Sequence, residues 1–358
     1  MSEQSQSNLK LENNFQSKFH SNIQSKILSV ASFLPSNVVT NFDLEKIMDT
    51  TNEWILQRTG ISERRWVTGD ESTSDLAYSA SIKAIENAHI DKKDIDMILL
   101  ATLSPDHEFP GTACFLQGKL KLSGIPAIDI RQQCSGFIYA LSMADLYIKS
   151  GRYKNILIVG AEIHSQGLDK STDGRDVSVL FGDGAGAVIL TANEVKNKDT
   201  DSHILSTHIH ADGQFAKELW LPAPGSAMGR EGRITNVHLL EKLQYPRMNG
   251  KAVFTHAVRR MIESLDECCN CNNVKLQDID LFLFHQANLR IVESISQRLE
   301  LPSSKVFNTV QKFANTTAAT IPIGMDYAIQ ENKLQRGMLV ALSTFGSGFT
   351  WGSALIRY

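Results

Sequence analysis

The chain has little of what would tie it to a secreted, membrane-spanning or nucleic-acid-binding role. Its five cysteines, at 114, 134, 268, 269 and 271, form an odd set at uneven spacing. They offer no disulfide framework and fit a reducing compartment. The Cys268–Cys269–x–Cys271 cluster lacks the spacing and the second pair of a zinc motif. His208 and His210, two apart on one strand face, are a further weak hint, and neither pattern leads us to expect a metal. No apolar run is long enough to span a bilayer. The opening residues are rich in Ser, Asn and Gln, with no hydrophobic signal core. Residues 1–25 therefore read as a flexible polar tail on a cytoplasmic protein. A net charge of -3 gives no basic excess for nucleic acid. The glycines of Phe181–Leu190 (FGDGAGAVIL) have neither dinucleotide-loop spacing nor the Gly-Lys-Ser/Thr of a P-loop. They read as a tight turn into a strand.

What is present is a large apolar core, 42% of the residues being hydrophobic. Segment 126–151, PAIDIRQQCSGFIYALSMADLYIKSG, predicts a short strand, a turn at Ser135–Gly136 and a buried helix stopping at Gly151. Cys134 falls at the strand-to-helix turn. Free amides and the helix dipole there favour thiolate, the nucleophilic form. A free cysteine also packs as an inert small hydrophobe, so position alone does not decide. Cys114, within an expected helix over 112–122, reads as core. Trp54, Arg58, Arg64, Arg65 and Trp66 lie close together. They could stack a planar base and pair phosphates, or simply form a solvated surface loop.

The chain repeats its own layout. IDKKDIDMILLAT at 90–102 parallels VKLQDIDLFLFHQ at 274–286. In each half there follow a helix, a short strand (AIDI; KVFNTV), a polar helix-opening turn (CSGF; NTTAAT), an apolar strand, and a Gly-rich turn into a final strand. Two βα-rich halves, 26–195 and 203–358, predict a pseudo-symmetric layered α/β fold. The polar 192–202 connects them, and 222–247 is a surface excursion. Cys134 and Asn315 then occupy neighbouring equivalent positions facing one interface, where sites gather. His285 ends the apolar run Leu281–Phe284 and is followed by Gln-Ala-Asn-Leu-Arg, polar groups that need a task there.

With these residues in place, residues 26–358 closely resemble β-ketoacyl-acyl-carrier-protein synthase III, among the thiolase-like condensing enzymes. The matching segments are DTTNEWILQRTGISER, CSGF, FGDGAGAVIL, HIHADG, FHQANLRI, NTTAAT and FGSGFTWGSALIRY, in the family's order. The resemblance implies a five-layered αβαβα thiolase-like fold and a triad of Cys134, His285 and Asn315. It implies coenzyme A held by Trp54 and Arg175 about the adenine, Arg58 near the phosphates and Asn288 near the pantetheine. Phe254, and Phe109 across a homodimer interface, would shape the acyl pocket, and Arg290 would meet acyl carrier protein. Backbone amides of Cys134 and Ser347 would form the oxyanion hole. The implied reaction joins an acyl-CoA to malonyl-acyl-carrier-protein through acyl-Cys134, with no metal or redox cofactor. An acyltransferase serving a non-malonyl acceptor is the alternative, and a scaffolding relative without turnover has no use for the whole triad. The chain departs from housekeeping members at Arg131-Gln132-Gln133, Phe313-Ala314 and Ser347, and in longer loops at 164–176 and 222–247. These departures lead us to expect a donor other than acetyl-CoA, of longer or branched chain.

Overall fold

The strands with unbroken apolar sequence lie in the middle of two sheets. The computed structural model describes residues 22–230 and 232–358. Met97–Ala101 and Asn155–Glu162 are buried at every position and pair in parallel. This is why their sequence shows no alternation: both faces are covered. Ala127–Ile130 extends the parallel set on one side. Gly184–Glu194 and Ile23–Phe33 complete the sheet antiparallel on the other. The second sheet repeats the order with Leu281–Phe284, Leu339–Gly346, Thr350–Arg357 and His203–Ala211.

The helices Gly136–Lys149 and Thr320–Gln330 lie between the sheets. Phe137, Leu141, Met325 and Ala328 pack there against Leu99, Ile158, Leu283 and Leu342. Thr73–Ala88 and Thr112–Leu120 cover the outer face of the first sheet, and Gly250–Cys271 and Leu289–Arg298 that of the second. The result is the expected five-layered αβαβα arrangement with two related halves. Each fully buried Leu, Ile or Phe contributes about 1.5–3 kcal/mol, so the central helices anchor both halves. Gly160 lets the two halves touch at the site. A Cβ there would lie 2.4 Å from the Ala318 carbonyl, so only glycine admits the second half's turn onto this strand.

Several expectations are corrected. Residues 1–21 of the expected polar tail lie outside the described residues. Its end is strand, since Ile23–Ser25 already pair with Ala192–Glu194. The polar Ser25 is tolerated there because its hydroxyl donates to Asp145 at 2.5 Å. KVFNTV is no strand; the counterpart of Ala127–Ile130 shrinks to a single bridge between Phe282 and Val306. Cys114 is exposed, because its helix turns Ala113, Leu116 and Leu120 inward and the residue after Ala113 points away. Cys268, Cys269 and Cys271 form the last turn of the Gly250–Cys271 helix. No metal-binding group of three ligands occurs among the described residues, nor any helix long and apolar enough to cross a membrane.

Segment 222–247 carries the short helix Asn236–Leu240. A two-stranded ribbon, Leu219–Trp220 against Arg247–Met248, closes its base. Lys242 ties it to Asp169 at 3.1 Å and Asp173 at 2.8 Å, and Arg233 pairs with Glu108.

Candidate active site

The parallel strand Ala127–Ile130 delivers the chain to a 3-10 turn, Gln133–Ser135, that leads into the Gly136–Lys149 helix. Cys134 in this turn is 7% exposed. Gln133 before it takes φ 45°, and Ala314 and Thr317, flanking Asn315 and Thr316, take φ 55° and 45°. Such left-handed, non-glycine positions cost of order 1–3 kcal/mol each and persist where the surroundings over-determine them. The second half closes on the cysteine from the other side. A Cβ on Gly346 would meet the Cys134 Cβ at 2.9 Å, so glycine is needed for this approach. The Thr344 hydroxyl donates to the Cys134 carbonyl at 2.9 Å.

Burial, and after it the charge of Glu162, pushes the Cys134 thiol up to about 12. The backbone amides of Cys134 and Ser347 bear on the sulfur and pull the other way. The expectation of a resting thiolate is therefore corrected: the amides favour it, but burial and the Glu162 charge outweigh them.

His285 follows the strand Leu281–Phe284 and is 3% exposed. Burial lowers its imidazole to about 3, so the ring is neutral. Its Nδ1 lies 2.7 Å from the Thr320 hydroxyl. The Thr317 carbonyl within 2.9 Å of that hydroxyl already takes the Thr320 amide. The hydroxyl has one proton for two neighbours, the Thr317 carbonyl and Nδ1; given to Nδ1, it leaves the ring proton on Nε2, which is buried without a partner. Asn315 is held by backbone bonds to Leu180 and Gly182 at 2.9 and 3.1 Å. Its Oδ1 accepts the Thr317 amide at 2.8 Å, which leaves Nδ2 as the outward donor.

Cys134, His285 and Asn315 line one cavity of about 590 Å³. Its walls include Phe181, Phe254, Ala257 and Phe345, and it runs past Leu219, Met248 and Asn288 to Trp54, Arg58 and Arg175. The Arg58 guanidinium stands 4.3 Å from the centre of the Trp54 ring and that of Arg175 5.3 Å. Arg175 also pairs with Asp49 at 3.7 Å. At that spacing no base fits between Trp54 and Arg175, so stacking there requires the arginine to swing away. Asn288 caps the Leu289–Arg298 helix and donates to the Arg58 carbonyl at 3.1 Å. Arg290 donates to the Gln57 and Leu56 carbonyls at 3.0 and 3.1 Å and pairs with Glu293 at 2.7 Å; a partner would meet a cation already part-neutralised. Phe109 is 80% exposed and absent from the lining of its own chain's cavity.

Of the other residues singled out, Arg64 leaves the phosphate-binding group. It is fully buried and donates to the Val39 and Val179 carbonyls and the Asn41 side chain at 3.3, 2.9 and 2.9 Å. His208 and His210 share the Glu267 carboxylate at 3.2 and 2.6 Å, a clasp between strand and helix. The residues that sequence reasoning missed are Thr320, Thr317 and Glu162. Glu162 carried a usable signal, since it is an acid directly after the apolar run NILIVGA, as His285 follows LFLF.

Comparison with known proteins places this geometry. Residues 128–213 match the family model 3-oxoacyl-[acyl-carrier-protein (ACP)] synthase III, and residues 269–358 match the model of its C-terminal part. The beta-ketoacyl-[acyl-carrier-protein] synthase III of Xanthomonas euvesicatoria is 47% identical over 336 residues, 94% of this chain and 99% of the relative. The crystal structure of 3-oxoacyl-[acyl-carrier-protein] synthase III from Aquifex aeolicus is 43% identical. It superposes with a TM-score of 0.83, covering 93% of this chain and 100% of that one. The priming β-ketosynthase of the R1128 polyketide pathway is 27% identical with a TM-score of 0.82, over 93% and 96% of the chains.

Proposed function

The chain belongs to the 3-oxoacyl-[acyl-carrier-protein] synthase III family, and on that premise we propose how its residues carry out a decarboxylative condensation of an acyl thioester with malonyl-acyl-carrier-protein. The observation that carries the reading is the convergence of a buried cysteine, a neutral histidine and a fixed asparagine amide on one cavity. Cys134 attacks the acyl thioester. The carbonyl oxygen takes the amides of Cys134 and Ser347, and the thiol proton leaves with the departing thiol. Malonyl-carrier follows. As carbon dioxide leaves, charge builds on the thioester oxygen, which accepts from His285 Nε2 and Asn315 Nδ2. The carbanion then attacks acyl-Cys134 and frees the sulfur.

Intact-mass measurement after incubation with acyl-CoAs, acetyl through dodecanoyl and branched, tests this reading and names the donor. We expect a mass gain with the longer or branched donors, and carbon dioxide release only once malonyl-carrier is added. An acetyl-CoA optimum would sink the donor assignment. Transfer without malonyl-dependent carbon dioxide would move the reaction to the non-malonyl class. Phe109, exposed at a loop tip, supports a homodimer in which it reaches the partner's acyl pocket. Sedimentation of the same sample should give twice the chain mass, and a monomer that still turns over would remove this part.

Trp54, Arg58 and Arg175 at the outer end of the cavity suit the adenine and phosphates of coenzyme A. Trp54→Ala should raise KM for acyl-CoA about tenfold with little change in kcat, base–aromatic stacking being worth roughly 1–3 kcal/mol. An unchanged KM would place the nucleotide elsewhere.

A further inference from the structure

Glu162 ends the strand Asn155–Glu162 with no exposure to solvent. No cation is among its hydrogen-bond partners. Its carboxyl accepts the Leu103 amide at 3.1 and 3.2 Å, the Ser104 amide at 3.2 Å, the Ser104 hydroxyl at 2.7 Å and the Thr102 hydroxyl at 3.3 Å. The Ser104 Oγ in turn accepts the Ile163 amide at 2.9 Å. One carboxyl thus pins the segment 102–104 to the end of the neighbouring parallel strand. That segment is the stem of the loop carrying Phe109. It also borders the nucleophile, since the Thr102 amide donates to the Ile130 carbonyl at 3.3 Å, four residues before Cys134.

We infer that Glu162 is a positioning residue of the condensation: its carboxyl fixes the Thr102–Ser104 stem next to the strand that leads to the nucleophile, and its charge, once present, disfavours the Cys134 thiolate. Burial pushes this carboxyl up to about 7, against the hydrogen bonds from Ser104, Leu103 and Thr102. Its charge in turn opposes ionisation of Cys134.

The other titratable groups around the pair are neutral or engaged elsewhere. Met97–Ala101 and the Thr317–Ala319 turn contain no titratable side chain. Asp129 on the next strand is engaged by the Thr112 and Ala113 amides at 2.7 and 2.6 Å. His164, lowered by burial to about 3, stays neutral. Asp183 accepts the Ser165 hydroxyl at 2.6 Å. His285 is neutral as described.

The catalytic consequence rests on Cys134 being the nucleophile, but the test reads the thiol directly. Iodoacetamide alkylation is followed at the Cys134 peptide, because Cys114 and Cys271 are exposed and react too. The full chain is used from mildly acid to alkaline pH. Because the Glu162 charge opposes ionisation of Cys134, the log rate rises, levels off once Glu162 ionises at about 7, and rises again when both groups ionise. In Glu162→Gln the plateau vanishes and alkylation at alkaline pH is about tenfold faster. Condensation nevertheless slows about tenfold, because an amide cannot accept all the stem's donors. Glu162→Asp keeps a plateau yet loses condensation through its shorter reach. A merely structural role would not speed the thiol while slowing turnover. A wild-type profile without a plateau, or a Glu162→Gln profile that superposes on it, overturns the inference. If Glu162→Gln fails to fold, the wild-type and Glu162→Asp profiles still decide. Turnover by Cys134→Ala would instead overturn the nucleophile assignment and leave the charge coupling standing.

Discussion

Cys134→Ala should abolish acyl transfer, lowering turnover by more than about 10⁴-fold, as loss of a nucleophile does in enzymes whose catalytic groups act as a unit. The change is clean because its structural cost is small. The side chain is small and sits where Gly346 closes on its Cβ. Alanine keeps that Cβ, so the turn and the Gly136–Lys149 helix lose one sulfur contact and about 1 kcal/mol. In an acyl-CoA incubation read by intact mass, the adduct seen with the unmodified protein should be missing at every donor. An adduct of equal yield in the variant would place the covalent chemistry on another side chain. Persistent condensation without an adduct would end the acyl-Cys134 reading.

Asn315→Ala and His285→Ala should separate the half-reactions. On the proposed mechanism acylation uses the amides at Cys134 and Ser347, and it should proceed within a few-fold of normal. Decarboxylation of malonyl-carrier uses the two side-chain donors and should fall about 10²–10³-fold for each variant, the usual cost of an oxyanion donor. Asn315→Asp sharpens the test. Aspartate still accepts the Thr317 amide, as Asn315 Oδ1 does at 2.8 Å, so the turn is kept. It replaces the Nδ2 donor with an acceptor facing the developing negative charge, so condensation should fall at least as far as with alanine while Tm stays closer to normal. Rapid-mix mass measurement of the acyl-enzyme, alongside release of labelled carbon dioxide, resolves the two steps. Equal loss of both would mean that these residues shape the pocket rather than stabilise the enolate. Because His285 is held neutral by burial, it acts as a hydrogen-bond donor, and its ionisation should leave no acid limb in the condensation rate near its ordinary titration range.

The positions of Cys134, His285 and Asn315 could be read because each breaks a strong local pattern. A cysteine stands at a strand-to-helix turn, a histidine ends a fully apolar strand, and an asparagine sits at the matching turn of a repeated half. The same rule could have flagged Glu162, at the end of an apolar run, but it was missed: an acid at a strand end is ordinarily solvated, and nothing local says that this one is sealed. Arg64 shows the opposite failure. Beside Trp54 and Trp66 it resembled a phosphate ligand, yet its guanidinium is consumed by carbonyls at 25 and 115 residues' separation. Cys114 was misplaced because an apolar-looking helix can bury only one stripe of its surface.

Sequence by itself determined the two-half layered architecture, most of the order of its strands and the candidate reacting side chains. Periodicity, apolar run length and turn chemistry are local properties, and a repeated order of elements needs no coordinates to be seen. Tertiary structure decided the state of those groups. Whether Cys134 rests as thiol, which nitrogen of His285 bears the proton, whether the Trp54 slot is open and where Glu162 spends its charge all depend on desolvation and on partners many residues away. Such quantities fall off with distance in space, and only folding sets those distances.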